Sequence, residues 1–219
     1  MTERGSPSER LYASLRAAIL HGEFAPEQAL KPQELANAGE VSLAVAREAL
    51  LRLVGEGLAT RLANRGFAVP AVDAGRPRQI AEARAVTEPE MLRLSIERGG
   101  VDWEVRVRAA HHHLARTPSR EPDGTYASDA WSEAHRRFHR ALLEGCGNRV
   151  LLDGFDRLWA ASELARRWSG AGVPERDVVQ EHGALEEAAL SRDTERAIGL
   201  LARHVRHTAP GTSGAPRGT

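Results

Sequence analysis

Residues 41–69 read VSLAVAREALLRLVGEGLATRLANRGFAV, and the first half of this stretch has the pattern of an amphipathic helix. Ser42 is a favourable N-cap residue, and Gly57 ends the helix. The apolar side chains form a single stripe at Val45, Ala49, Leu53 and Val54. Leu43, Ala46 and Arg47 fall on other faces of this helix, so we expect them outside the stripe that packs on the core.

The second half of the stretch predicts a β-hairpin. Leu58–Leu62 and Phe67–Pro70 have the composition of short strands, and the asparagine and glycine of residues 63–66 suit a tight turn. Two helices precede the stretch, Leu11–Leu20 and Gln33–Ala38. The order of helix, helix, helix and hairpin predicts a winged helix-turn-helix domain. On periodicity alone, a small α+β interaction module with a solvated arginine face fits equally well.

Composition limits the classes of partner. The chain has 219 residues, with 30 basic and 30 acidic side chains, so a general polyanion-binding protein is not indicated. Residues 41–69 nevertheless hold four arginines and two glutamates, which gives a local positive edge. Cys146 is the single cysteine and suits a reducing compartment. Residues 1–10 are polar and no apolar run reaches membrane-spanning length, so we expect a cytoplasmic protein without membrane association.

The stretch resembles the DNA-binding domain of the GntR family of bacterial transcription regulators. The matching residues are Leu30, Glu34–Ala36, Val41–Ser42, Arg47–Leu50, Leu53, Glu56–Leu58 and Asn64–Val69. This resemblance implies that Ser42, Leu43, Arg47, Arg65 and Gly66 lie at the contact with double-stranded operator DNA. Leu43 stands where the family has an arginine, and an aliphatic side chain cannot donate to guanine but can meet a thymine methyl group.

The remainder of the chain predicts an all-α domain. Residues 72–78 contain glycine and proline, which are typical of a linker. Residues 209–219 have the composition of a disordered tail. The expected organisation is therefore a winged domain at 8–71, a linker at 72–78, a helical bundle at 79–208 and a tail at 209–219. The expected fold class is mainly α, with an α+β winged domain first. In the bundle, Pro89 permits a kink or a fresh helical start, and Asp102 is the expected cap of the helix after Gly99-Gly100.

Two histidines stand four residues apart on a predicted helix, His135 and His139, so both rings leave one face. That spacing suits a metal ion, and His182 and His204 on later helices could complete the site. Taken alone, the spacing favours a partly exposed His135 and a hydrogen-bonded core His139. Three consecutive histidines, His111 to His113, cannot all reach one ion, and we expect them at the surface.

The helical region resembles the FCD effector domain of the FadR subfamily within the GntR family. The motifs that carry this resemblance are Arg84-x3-Glu88-Pro89, Phe138-His139-x2-Leu142, Gly147-Asn148, Glu181-His182-x2-Leu185 and Ala197–His204. The surrounding sequence is most similar to the branch of the carbon-starvation-induced regulator. The resemblance implies a divalent metal at His135, His139, His182 and His204, with His135 in place of the family's aspartate.

A ligand set of four neutral imidazoles leaves a divalent ion with its full charge and favours zinc, with nickel or cobalt as alternatives. We therefore expect a small carboxylate effector, with Arg84 and Arg166 as candidate clamps, although arginines on helices more often form solvated faces. We also expect a homodimer that binds a palindromic site. The alternative to an effector-binding site is a metal with a purely structural role and no small-molecule effector. A metallohydrolase is not expected, because Arg136 stands where a zincin carries its glutamate, so the protein is not predicted to be an enzyme.

Overall fold

The computed structural model describes residues 6–62, 66–71, 75–120, 128–168 and 178–207. These residues belong to two compact units. The N-terminal unit comprises Met1–Pro77 and Trp159–Gly170, and the C-terminal unit comprises Arg78–Leu158 and Ala171–Thr219. The predicted fold class is confirmed, since the chain is mainly helical with one small sheet.

The elements are α1 Pro7–Leu20, β1 Ala29–Leu30, α2 Pro32–Ala38, α3 Leu43–Gly55, β2 Thr60–Leu62, β3 Gly66–Ala68, α4 Arg76–Arg98, α5 Val101–Arg116, α6 Asp129–Glu144, α7 Arg149–Trp168, α8 Val178–Leu190 and α9 Thr194–His207. Helix α4 begins inside the segment assigned to the linker, and it continues through Pro89 as one helix. The described residues include no helix with both the length and the hydropathy needed to cross a lipid bilayer.

Capping side chains account for the starts of α1 and α3. Ser42 caps α3 as predicted, since its Oγ accepts a hydrogen bond from the backbone N–H of Val45. Helix α1 begins four residues before its predicted start, because Ser6 and Glu9 form a reciprocal capping box. The prediction for Asp102 is wrong: Gly100 is the N-cap of α5, and Asp102 lies in the first turn, where its charge favours the helix dipole.

The N-terminal unit packs its helices around a three-stranded antiparallel sheet of order β1-β3-β2. Sequence periodicity missed β1, which has only two residues, yet Leu30 on this strand is buried opposite Phe67. The predicted stripe of α3 is also shifted. Ala46 is fully buried while Val45 is only half-buried, so the core-facing side chains of α3 are Ala46, Ala49, Leu50 and Leu53.

A polar cluster on α1 and α3 supports this core. The Tyr12 hydroxyl donates a hydrogen bond to the carboxylate of Glu56, and the Arg52 guanidinium carbon lies 4.0 Å from the centroid of the Tyr12 ring. Burial, followed by the hydrogen bond and charge of Glu56, raises the pKa of Tyr12 to about 12. The cluster therefore favours the protonated phenol and holds it between the two helices.

We expect Tyr12→Phe to lower the free energy of unfolding by about 1 kcal/mol near neutral pH, because Glu56 loses a partly buried donor. A raised folded-state pKa means that this contribution is complete below the unfolded value of 10.0 and falls as the pH rises toward about 12. Urea denaturation of both proteins across that window measures it. A difference between the two proteins that stays constant with pH would contradict the assignment.

Candidate metal centre and DNA-binding surface

Three helices of the C-terminal unit supply the four predicted metal ligands. Helix α6 carries His135 and His139 one turn apart, α8 carries His182, and α9 carries His204. All four side chains are buried, and His135 is only 3% exposed. The alternative of a partly exposed His135 is therefore wrong.

The four imidazoles meet at one point. His182 Nε2 lies 3.1 Å from His135 Nε2 and 3.4 Å from His139 Nε2. One candidate ligand atom from each of the four residues lies within 4.8 Å of the others. The His204 ring stacks on that of His139, with centroids 5.0 Å apart. Sequence spacing predicted the one-turn pair on α6, and the structure brings the other two rings to it.

The donor chemistry fits a divalent metal ion. Two nitrogens bound to one zinc at about 2.0–2.1 Å lie roughly 3.3 Å apart in a tetrahedral site, which matches the two Nε2 separations. Hydrogen bonding alone fits less well, because His182 Nε2 faces two ring nitrogens and carries at most one proton. A divalent cation held by His135, His139, His182 and His204 could accept a lone pair from each ring.

Aromatic side chains border the cluster. The Trp131 ring centroid lies 4.6 Å from that of His135, and the Phe138 ring lies 5.3 Å from that of His182. Both aromatic side chains are buried. An environment of this kind excludes water and strengthens electrostatic interactions with a bound charge.

The two arginines predicted as effector clamps are each paired with a glutamate one turn away. Arg84 is buried, and its Nε lies 2.5 Å from Glu88 Oε1, a partner that sequence analysis did not assign. The alternative of a solvated face is thus wrong for Arg84. Arg166 pairs with Glu163 on α7, and both belong to the N-terminal unit. Arg84 shares the C-terminal unit with the four histidines.

The three consecutive histidines of α5 do not behave alike. His112 and His113 are exposed, as expected, but the His111 side chain is only 17% exposed. Its Nδ1 lies 2.6 Å from Glu186 Oε2, and its ring centroid lies 5.2 Å from that of Phe138. The spacing from the buried Val107 and Leu114 places residue 111 on the inward face of α5, and this signal was available in the sequence.

The predicted DNA-contacting residues lie at and beyond the start of α3. Arg47 is exposed, Leu43 is half-buried, and the Ser42 hydroxyl caps the helix. Arg65 lies outside the described residues. Gly66 begins β3 with φ of +90°, a conformation that favours glycine.

Two family matches cover most of the chain. Residues 7–69 match the description "Bacterial regulatory proteins, gntR family", and residues 79–207 match the FCD domain. The chain belongs to the GntR family. Its two-part organisation is a GntR-type helix-turn-helix domain followed by an FCD domain, as the sequence motifs implied.

Relatives agree with this assignment. The chain is 35% identical over 199 residues to the uncharacterized HTH-type transcriptional regulator BphR of Paraburkholderia xenovorans LB400, covering 90% of this chain and 81% of that protein. It is 32% identical over 202 residues to the HTH-type transcriptional repressor GlaR of Escherichia coli K12, covering 89% and 90%. Among solved structures, E. coli McbR/YncC shares the fold with a TM-score of 0.70 at 19% identity, covering 93% of this chain and 95% of that one.

These matches confirm a DNA-binding transcriptional regulator and a non-enzymatic function. The alternative of a metallohydrolase is therefore wrong.

We expect Arg47→Ala to weaken binding to a selected operator by about 1–3 kcal/mol, the usual cost of losing an arginine contact to a base. The measurement is fluorescence anisotropy on a duplex that the wild-type protein selects from random double-stranded DNA. Arg10→Ala on α1 is the matched control, because it removes the same charge from another exposed position of the N-terminal unit. Equal losses in the two variants would contradict a specific role for Arg47.

Proposed function

We propose that the protein is a homodimeric repressor whose helical domain binds one divalent metal ion through His135, His139, His182 and His204. A small carboxylate effector then modulates operator binding. The observation that carries this proposal is the convergence of four buried imidazoles from three helices. A regulator that binds operator DNA works where that DNA is, so the proposal includes a cytoplasmic location. The E. coli relative GlaR is a transcriptional repressor, which supports repression as the direction of regulation.

Imidazole ligands indicate zinc, with nickel or cobalt as alternatives, over the oxygen-preferring magnesium or manganese. When bound, the ion supplies a Lewis-acidic positive charge that attracts a carboxylate oxygen. The protein's own contribution is to hold four neutral rings at one point behind buried aromatic side chains. His135 adds a fourth imidazole where the family resemblance implied an aspartate.

Arg84 is the candidate clamp of the proposed carboxylate within the C-terminal unit. A guanidinium has five N–H donors in one plane, and Glu88 accepts from the Nε and Nη2 groups of Arg84. Glu88 thus fixes the plane of the guanidinium before any effector binds. Arg166, the other arginine predicted as a clamp, belongs to the N-terminal unit and pairs there with Glu163.

Regulation requires that the effector bind one DNA-binding state more tightly than another. In a two-fold dimer, two α3 helices read two half-sites, so a shift in their separation changes operator affinity. The second candidate function is a purely structural metal, which four protein ligands favour because a closed site leaves no open coordination position. This alternative predicts that no small carboxylate changes operator affinity.

We expect about one metal ion per chain in the untagged wild-type protein and a loss of that ion in His139→Ala, because a core ligand is removed. Elemental mass spectrometry after extensive dialysis measures the metal content. His112→Ala is the matched control, since it removes an exposed histidine of the same unit. Equal metal content in all three proteins would contradict the four-histidine site.

We expect small dicarboxylates, screened one by one, to include a compound that raises the melting temperature of the metal-loaded protein and changes its operator affinity. The diamide of that compound should do neither, because it lacks the negative charge. Differential scanning fluorimetry and operator anisotropy measure the two effects, each with and without metal. A diamide that acts as strongly as the dicarboxylate would contradict recognition of the anion.

A further inference from the structure

One histidine of the cluster is paired with a carboxylate. His204 Nδ1 lies 2.9 Å from Glu181 Oε2, and the His204 side chain is nearly buried. A ring that donates its Nδ1–H to a carboxylate keeps its lone pair on Nε2. Since Nδ1 faces Glu181, Nε2 is the atom that His204 can offer to the other three rings.

From this geometry we infer that Glu181 is a positioning residue of the metal centre. It holds the His204 ring in the ligating tautomer, and it supplies negative charge next to the inner ligands. This inference rests on the proposed metal site. Glu181 belongs to the motif Glu181-His182-x2-Leu185 that carries the family resemblance, and motif spacing alone gives it no role.

The position of Glu181 in the chain strengthens the inference. Glu181 directly precedes His182, so α8 supplies one ligand and also orients the ligand of the neighbouring helix α9. The ring of His204 is further fixed by stacking on His139 at an interplanar angle of 27°. Glu181 and the stacked His139 ring therefore both restrict the orientation of His204.

The same pair places a carboxylate next to the four candidate ligands. With a histidine at position 135, the four inner ligands are all neutral, and Glu181 carries a negative charge one hydrogen bond farther out. A carboxylate that accepts a hydrogen bond from a ligating histidine raises the basicity of that histidine. Because Glu181 is 35% exposed, solvent screens part of its charge, and we expect a smaller effect than that of a directly bound aspartate.

The test is metal affinity of the full-length protein, measured by competition between zinc and a chromophoric chelator. Glu181→Gln removes the charge and keeps an acceptor, whereas Glu181→Ala removes both. Glu187→Gln is the matched control, since Glu187 lies on the same helix, is 67% exposed and pairs with Arg196. The absorption spectrum of the cobalt-loaded protein reports ligand geometry independently of affinity.

We expect zinc affinity to fall about 10- to 100-fold in Glu181→Gln and further in Glu181→Ala, with Glu187→Gln close to wild type. The cobalt spectrum should change in both Glu181 variants. Melting temperatures of the metal-free proteins separate this effect from loss of packing, because a positioning residue acts mainly on the metal-bound form.

Wild-type affinity and an unchanged cobalt spectrum in Glu181→Gln, together with loss of metal in His139→Ala, would overturn the role of Glu181 and leave the metal site intact. A wild-type protein that binds no zinc would overturn the metal site itself and this inference with it. The two failures are therefore distinguishable.

Discussion

The burial of four imidazole rings at one point is the constraint on which the C-terminal unit depends. A buried ring nitrogen that lacks a partner costs on the order of 1–3 kcal/mol, and a whole domain is stable by only about 5–15 kcal/mol. The helices α6, α8 and α9 bring four buried imidazoles together, so their ring nitrogens require a shared partner or a precise hydrogen-bond network. A metal ion meets this requirement and converts the cost of burial into folding free energy. The metal and the packing of these helices are thus expected to stabilise each other.

The N-terminal unit has a different constraint, which concerns helix α3, the helix predicted to contact DNA. One face of α3 must pack on the core, and another face must stay exposed. Small residues, Ala46 and Ala49, let α3 sit closely against its neighbours, and Leu50 and Leu53 fill the core. Arg47 remains exposed on the same helix. The cluster of Tyr12, Arg52 and Glu56 joins α1 to α3 at the edge of this core. The core thus fixes the exposed face of α3 without contributing residues to it.

Periodicity predicted a mainly helical chain because amphipathic stripes are local signals, but it misplaced the core-facing stripe of α3, and the cap of α5 was also placed wrongly. Convergence of the four histidines is not local: spacing gave the pair His135 and His139, and His182 and His204 were candidates on later helices that the family resemblance then assigned to the site. Strand β1 was missed because two residues carry no alternation. The inward-facing His111 and the partner of Arg84 could have been found, since Val107, His111 and Leu114 share one face and Glu88 follows Arg84 by four residues.

Charge around the site connects the proposed metal to the proposed effector. If a fully buried carboxylate balanced the ion, an anionic ligand would gain little from binding there. Glu181 is instead partly exposed and one hydrogen bond removed from the inner ligands. Its charge is screened by solvent, so an ion bound at the proposed site would keep much of its attraction for a second anion. A carboxylate that acts through a histidine therefore stabilises the bound metal and still leaves it able to attract a carboxylate effector, which a directly bound aspartate would do less well.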